Sequence, residues 1–204
     1  MSAPQTPETT PSGDLTEGGN VRPITRWGTP VMHAKTRPVT DFDDPEFRTL
    51  VRDMFATMKA AAGVGLAATQ VGVDLAVFVY DCPDADEKRH VGVVCNPEVT
   101  LPEGRERRLE SGEEGCLSLP GAYQPLSRPD KATCTGQDVD GNDITIAGTG
   151  LLARCLQHET DHLNGTVFGD RLSARARKKL YEQHEGLADR YLADWPITPK
   201  QPAS

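Results

Sequence analysis

Residues 156–165 read LQHETDHLNG and place His158, Glu159 and His162 in the order H-E-x-x-H. Residues four apart share one face of an α-helix, so a helix here brings both imidazoles to one point. The helix that would carry this stretch has an apolar face supplied by Leu151, Leu152, Cys155, Leu156 and Leu163. The fold must therefore wrap a core around this helix and set its histidines inside the protein. A divalent ion between the imidazoles would gain two nitrogen ligands. Glu159 is placed to take a proton from a water on that ion. The plainer alternative is a surface helix with two unconnected histidines. Catalytic metal sites take three protein ligands and keep a position for water, so the metal reading needs a further ligand from elsewhere in the chain.

The 204 residues are enough for one domain with a full core. A net charge of −8 argues against a general nucleic-acid binder, and no direct DNA binding is expected. No run of about 18 apolar residues appears, so no membrane partner is expected. The N-terminus lacks the pattern of a secretory signal. Five cysteines without paired spacing fit a reducing cytosol, and a cytoplasmic location is expected.

Residues 1–20 are rich in Pro, Thr, Gly and acid and are expected to form a flexible tail. One domain is expected over 21–195, followed by a second flexible tail over 196–204. Prolines 23, 30 and 38 predict extended segments and turns. Asp44 and Pro45 start an amphipathic helix that ends near Gly63 and buries Phe47, Leu50, Val51, Met54, Phe55 and Met58. In GVGLAATQVG, residues 63–72, two glycines flank Val64 and allow a close backbone approach, although a helix cap and loop would read the same way. Strands are predicted over Leu75–Tyr80 and His90–Cys95, a turn at Asn96-Pro97, and a solvated strand over Gly104–Leu109. Lys131–Val139 and Asp143–Ala147 read as a hairpin joined by Asp140-Gly141-Asn142. After Gly165 stops the H-E-x-x-H helix, Ser173 caps a last helix over Ala174–Leu192. That helix would dock through Leu180, Leu187, Tyr191 and Leu192 and leave Arg175, Arg177, Lys178 and Lys179 exposed. The expected class is α+β: mostly antiparallel strands around a central H-E-x-x-H helix, with one N-terminal and one C-terminal helix.

Cys116 lies in ESGEEGCLSLPG, where Gly115 gives its backbone room and Glu113 and Glu114 crowd it. Cys82, Cys95 and Cys134 read as small buried hydrophobes. The stretches GVGLAATQ, EGCLS and QHETDHLNG together resemble the three signature motifs of peptide deformylases, in that family's order, within a resemblance running from about Val21 to Leu192. The resemblance makes Cys116 the third metal ligand beside His158 and His162. It implies one divalent metal per chain, typically Fe2+, with Zn2+, Ni2+ or Co2+ able to substitute; the residues themselves do not choose among these ions. It makes Glu159 the catalytic carboxylate. Gln70 and the backbone N–H of Leu117 would hold the formyl oxygen. The implied enzyme is a hydrolase that removes formyl from N-formylmethionine on newly synthesised polypeptides and releases formate, cutting a formyl amide rather than a peptide bond.

By the same resemblance the peptide lies as an added strand between Val64-Gly65 and Glu114-Gly115. The methionine pocket is lined by Val64, Leu151, Arg154, Cys155 and His158. Arg154 departs from the apolar residue of many relatives, and its stem is expected to pack while its charge reaches outward. Tyr123 stands where some relatives carry Arg. The basic cluster on the last helix is the one place for a transient ribosome contact.

Two rivals share the metal motif. A zincin-type metalloprotease would take its third ligand downstream, from His184, Glu182 or Glu185, and would leave GVGLAATQ and EGCLS without a role. A structural metal module would have a closed site of four protein ligands, where three are counted here, and an inactive ribosome-binding homologue has no visible cause of inactivity while Glu159 and Gln70 are intact.

Overall fold

The computed structural model describes residues 15–202. Seven strands and three α-helices follow in the order α1 (Pro45–Ala60), β1 (Gly65–Ala67), β2 (Val77–Pro83), β3 (Arg89–Thr100), β4 (Leu109–Gly115), β5 (Tyr123–Pro129), β6 (Lys131–Gln137), β7 (Asp143–Thr149), α2 (Gly150–Leu163) and α3 (Ala174–Glu185). Strands β1-β2-β3-β6-β7 form one antiparallel sheet, and β4-β5 a separate ribbon. The expected α+β class holds, with α2 as the H-E-x-x-H helix.

Strand β2 explains the layering. Val77 and Val79 join a core with Phe47, Val51 and Met54 of α1, whereas Phe78 and Tyr80 join a second core with Leu152 and Leu156 of α2. Alternate side chains of a strand point to opposite faces, so the sheet is covered by α1 on one side and α2 on the other. A strand covered on both faces reads as the unbroken apolar run seen here. A third cluster, with Met32, Leu119, Phe168 and Leu180, docks α3. Helix α1 begins as the sequence predicts: Pro45 opens it and the Asp44 carboxylate accepts from the Glu46 N–H at 2.8 Å. Ser173 likewise caps α3, accepting from the Ala176 N–H.

Several sequence expectations are corrected. Asn96-Pro97 is no turn but a bulge within β3, where Asn96 adopts φ 50° and its side chain bonds both Val39 and Gln137. Gly104–Glu106 is a 3-10 turn, and strand begins only at Leu109. Strand β5 is additional. Helix α3 stops at Glu185, and of the four residues expected to dock it only Leu180 lies on the helix and is buried. Tyr191 packs instead on the α1-side core, while Leu192 is exposed.

The expected tails are partly anchored. Residues 1–14 and 203–204 lie outside the described residues. Leu15 is buried, however, and the Asn20 N–H donates to Asp53 at 2.7 Å. Near the other end the Gln201 N–H donates to the Arg190 carbonyl at 2.9 Å. One apolar residue and a few backbone bonds are enough to tie down segments whose composition reads as tail.

Candidate metal centre

Strand β4 delivers Cys116 from its C-terminal end, and α2 delivers His158 and His162 from one face. The thiol sulfur lies 3.3 Å from His162 Nε2, which lies 3.1 Å from His158 Nε2. The donor atoms of all three residues fall within 4.8 Å of one another, and all three residues are buried. His158 Nδ1 stands 2.8 Å from Glu114 Oε1. A carboxylate only accepts, so Nδ1 carries a proton and Nε2 is the nitrogen that faces the other donors. Burial alone would lower His158; hydrogen bonds to Cys116 and Glu114 outweigh it and hold His158 well above the usual histidine range, so without a metal its Nε2 is protonated as well and donates to His162. Burial and the positive charge on the neighbouring His158 push His162 well below the usual histidine range, so His162 stays neutral. One sulfur and two imidazole nitrogens converging in a buried space fit a single divalent transition metal, whose binding would displace the proton from His158 Nε2.

Glu114 is the hub behind the ligands. Its carboxylate takes a fork from Arg128 of β5, Nη2 to Oε1 at 2.6 Å and Nε to Oε2 at 2.8 Å, and a further bond from Arg154 Nη1 at 2.8 Å. Burial alone would raise this carboxyl; the hydrogen bonds from Arg128 and His158 outweigh it and hold Glu114 well below its ordinary value. Arg128 Nη1 also reaches Asp161 Oδ2 at 3.0 Å, and Asp161 pairs with Arg171. The network ties β4, β5 and α2 into one unit around His158.

Glu159 is buried beside the ligands, and burial pushes its carboxyl up to about 7. Gly65 of β1 makes room for it: a Cβ there would lie 2.4 Å from Glu159 Oε1 and 2.8 Å from Cys155 Sγ. Gln70 follows β1 in a 3-10 turn and is 1% exposed. Its Oε1 accepts from the Ala67 N–H at 2.9 Å, which aims the amide nitrogen at Cys116 Sγ (3.5 Å) and Ser118 Oγ (3.4 Å). Leu117 follows Cys116, and its side chain packs where a Cβ on Gly63 would stand.

The residues expected to bind the peptide flank this centre. Among the described residues, strands β1 and β4 each pair with one neighbour, β1 with β2 and β4 with β5, so each keeps an edge to which no described strand is paired. Val64 and Leu151 are half-exposed and Cys155 is buried, its thiol donating to the Val64 carbonyl at 3.6 Å. Gly115 lies under the Tyr123 ring. Arg154 differs from expectation. Its charge does not reach outward, because three acceptors hold it inside: Glu114 Oε2, the Leu126 carbonyl at 3.0 Å and the Glu110 carbonyl at 3.0 Å. The residues that sequence reading missed are Arg128, Asp161 and Arg171. Only Asp161 carried a signal, as a charge inside the H-E-x-x-H stretch of a helix with an apolar face.

The downstream ligands of a zincin are elsewhere: His184 sits on α3 with Nδ1 3.4 Å from the Pro120 carbonyl. Among the described residues the metal-type cluster is Cys116, His158 and His162, and no helix is long and apolar enough to cross a membrane.

Three soft and nitrogen donors beside a buried carboxylate and an aimed amide define a metallohydrolase centre. Residues 21–178 match the family described as polypeptide deformylase. Peptide deformylase 1 of Streptomyces avermitilis is 58% identical over 176 residues, 86% of this chain and 81% of that protein. The crystal structure of a peptide deformylase from Legionella pneumophila superposes with a TM-score of 0.74 at 37% identity, covering 89% of this chain and 99% of that one. That of peptide deformylase from Ehrlichia chaffeensis in complex with actinonin gives 0.73 at 36% identity, covering 82% and 97%. The chain belongs to the polypeptide deformylase family, metal-dependent enzymes that hydrolyse the formyl group from formylmethionine at the N-terminus of nascent polypeptides.

Proposed function

We propose that Cys116, His158 and His162 hold one divalent ion, Fe2+ in the cell, with Zn2+, Ni2+ or Co2+ as substitutes, and that Glu159, Gln70 and Leu117 carry out deformylation around it. The reading rests on one observation above all: the Gln70 amide, the Cys116 sulfur and the two Nε2 atoms converge beside the Glu159 carboxylate. When bound, the ion supplies Lewis acidity, acidifying the attacking water and polarising the formyl group. Gln70 Nε2 and the Leu117 N–H donate to the oxygen on which charge develops; one such donor is typically worth about 10²–10³ in rate. Glu159 takes the water proton and delivers it to the leaving amine, so formate and a free methionyl amine result. Glu114 keeps the proton of His158 on Nδ1.

The segment Val64-Gly65 that leads into β1 and the Glu114-Gly115 end of β4 bind the peptide backbone as an added strand. The methionine side chain rests on Val64, Leu151 and Cys155 beside His158, with the Arg154 stem behind them and its charge neutralised by Glu114. Tyr123 offers a ring to residues further along the peptide. The exposed Arg175, Arg177, Lys178 and Lys179 of α3 support a transient contact with ribosomal RNA. Five buried cysteines without a disulfide suit a reducing cytoplasm.

Glu159→Gln tests the assignment. It should keep the metal and lose formate release from a formyl-Met-Ala-Ser peptide by about 10²–10⁴-fold. Unchanged release would overturn the role of Glu159.

A further inference from the structure

Helix α2 has a second polar face. Gln157, Thr160, Asp161 and Asn164 recur at i, i+3, i+4 and i+7, centred roughly 130° around the axis from the histidine pair. They wall one side of a cleft of about 950 Å3. The bulged half of β3, the end of β5 and the segment around Lys35 close the other sides. That volume lies within the range of about 300–1,000 Å3 typical of small-molecule sites.

The charge of the cleft opposes that of the chain. Lys35 and Arg107 line it, both are exposed, and among the described residues neither has an ion-pair partner. Arg128 and Arg171 line it as well, against two acids, Glu98 and Asp161. Asp161 is already shared by those two arginines, which leaves Lys35 and Arg107 available in a protein of net charge −8. Leu101 and Leu126 add an apolar wall, with Leu101 exposed. Thr160 is 7% exposed and its hydroxyl has no hydrogen-bond partner among the described residues.

We propose that this cleft is a second ligand site, distinct from the metal centre, that takes a small organic anion: a phosphate or carboxylate head between Lys35 and Arg107, with an apolar ring against Leu101 and Leu126. Charge-assisted hydrogen bonds give the head its affinity, and the apolar wall favours a ring over a bare ion.

The test is fluorescence and calorimetric titration of the metal-loaded enzyme with 1-naphthyl phosphate and, in parallel, 1-naphthoate. The readout is binding, so it does not depend on the roles assigned to the deformylation residues. Saturable binding of at least one of them with Kd below roughly 1 mM is expected. The tighter of the two identifies the head group. Arg107→Glu and Lys35→Glu should each raise Kd at least about tenfold while formate release and thermal unfolding stay as in the native enzyme. Neutral 1-naphthol and inorganic phosphate should each bind at least about tenfold more weakly than the better anion. No saturable binding of either anion, equal affinity in both variants, or 1-naphthol binding as tightly as the anions would each overturn the proposal.

Discussion

His158 Nδ1 donates to Glu114 Oε1 at 2.8 Å, and the same carboxylate takes three more hydrogen bonds from Arg128 and Arg154. The metal-facing nitrogen of His158 is thus held by a buried acid whose remaining lone pairs are occupied by two arginines. Glu114→Ala removes the acceptor and leaves Arg128 buried beside Asp161 alone. Loss of such an outer partner typically weakens metal affinity about 10–100-fold. Breaking a buried ion pair typically costs about 3–5 kcal/mol. Chelator competition and urea unfolding measure the two effects. Unchanged metal affinity would remove Glu114 from the support of His158.

Gly65 is required by space. A methyl group there would meet Glu159 Oε1 at 2.4 Å and Cys155 Sγ at 2.8 Å. Gly65→Ala must therefore displace the Glu159 carboxylate while the three metal donors stay in place. A shift of about 1 Å in a catalytic group can cost about 10²-fold in rate. Metal content should stay at the native level while formate release falls by that order. Full activity would show that β1 shifts instead.

The environment of Glu159 gives the metal-free protein a pH signature. Burial raises this carboxyl from 4.5 to about 7. Between those values the folded state binds more protons than the unfolded chain, so stability falls as pH rises. The contribution is fully present below about 4.5 and is lost as pH climbs through about 7. Its ceiling is roughly 3 kcal/mol at 1.36 kcal/mol per pKa unit. Glu159→Gln should remove that part of the slope in urea midpoints measured at pH 5 and pH 8 on metal-stripped protein. Parallel pH profiles for the two proteins would contradict it.

The metal helix was legible because two independent patterns agree along it: histidines four apart, and leucines at helical spacing. Cys116 was not legible from spacing, since its place depends on where β4 ends, and only the resemblance of EGCLS to a family motif marked it. Arg128 escaped notice because β5 reads YQPLSRP. Its Pro125 and Pro129 argue against a strand and are tolerated because, among the described residues, β5 pairs with β4 alone. Arg154 was misplaced for a related reason. A charged residue at a place that is apolar in many relatives suggests a stem that packs and a charge that reaches for water, whereas two carbonyls and Glu114, distant in sequence, stand closer. Asn96-Pro97 has the composition of a turn, yet partners on Val39 and Gln137 hold it as a bulge. In each case long-range pairing overrides a local signal.

The most direct measurement is formate release from formyl-Met-Ala-Ser by protein purified without oxygen, with metal counted on the same sample, for the native chain and for Cys116→Ser. The native chain should carry one divalent ion, release formate from the formyl peptide and none from acetyl-Met-Ala-Ser; Cys116→Ser should lose both the ion and the activity. Undiminished activity in Cys116→Ser, or no formate from native protein carrying one ferrous, nickel or cobalt ion per chain, would contradict the account.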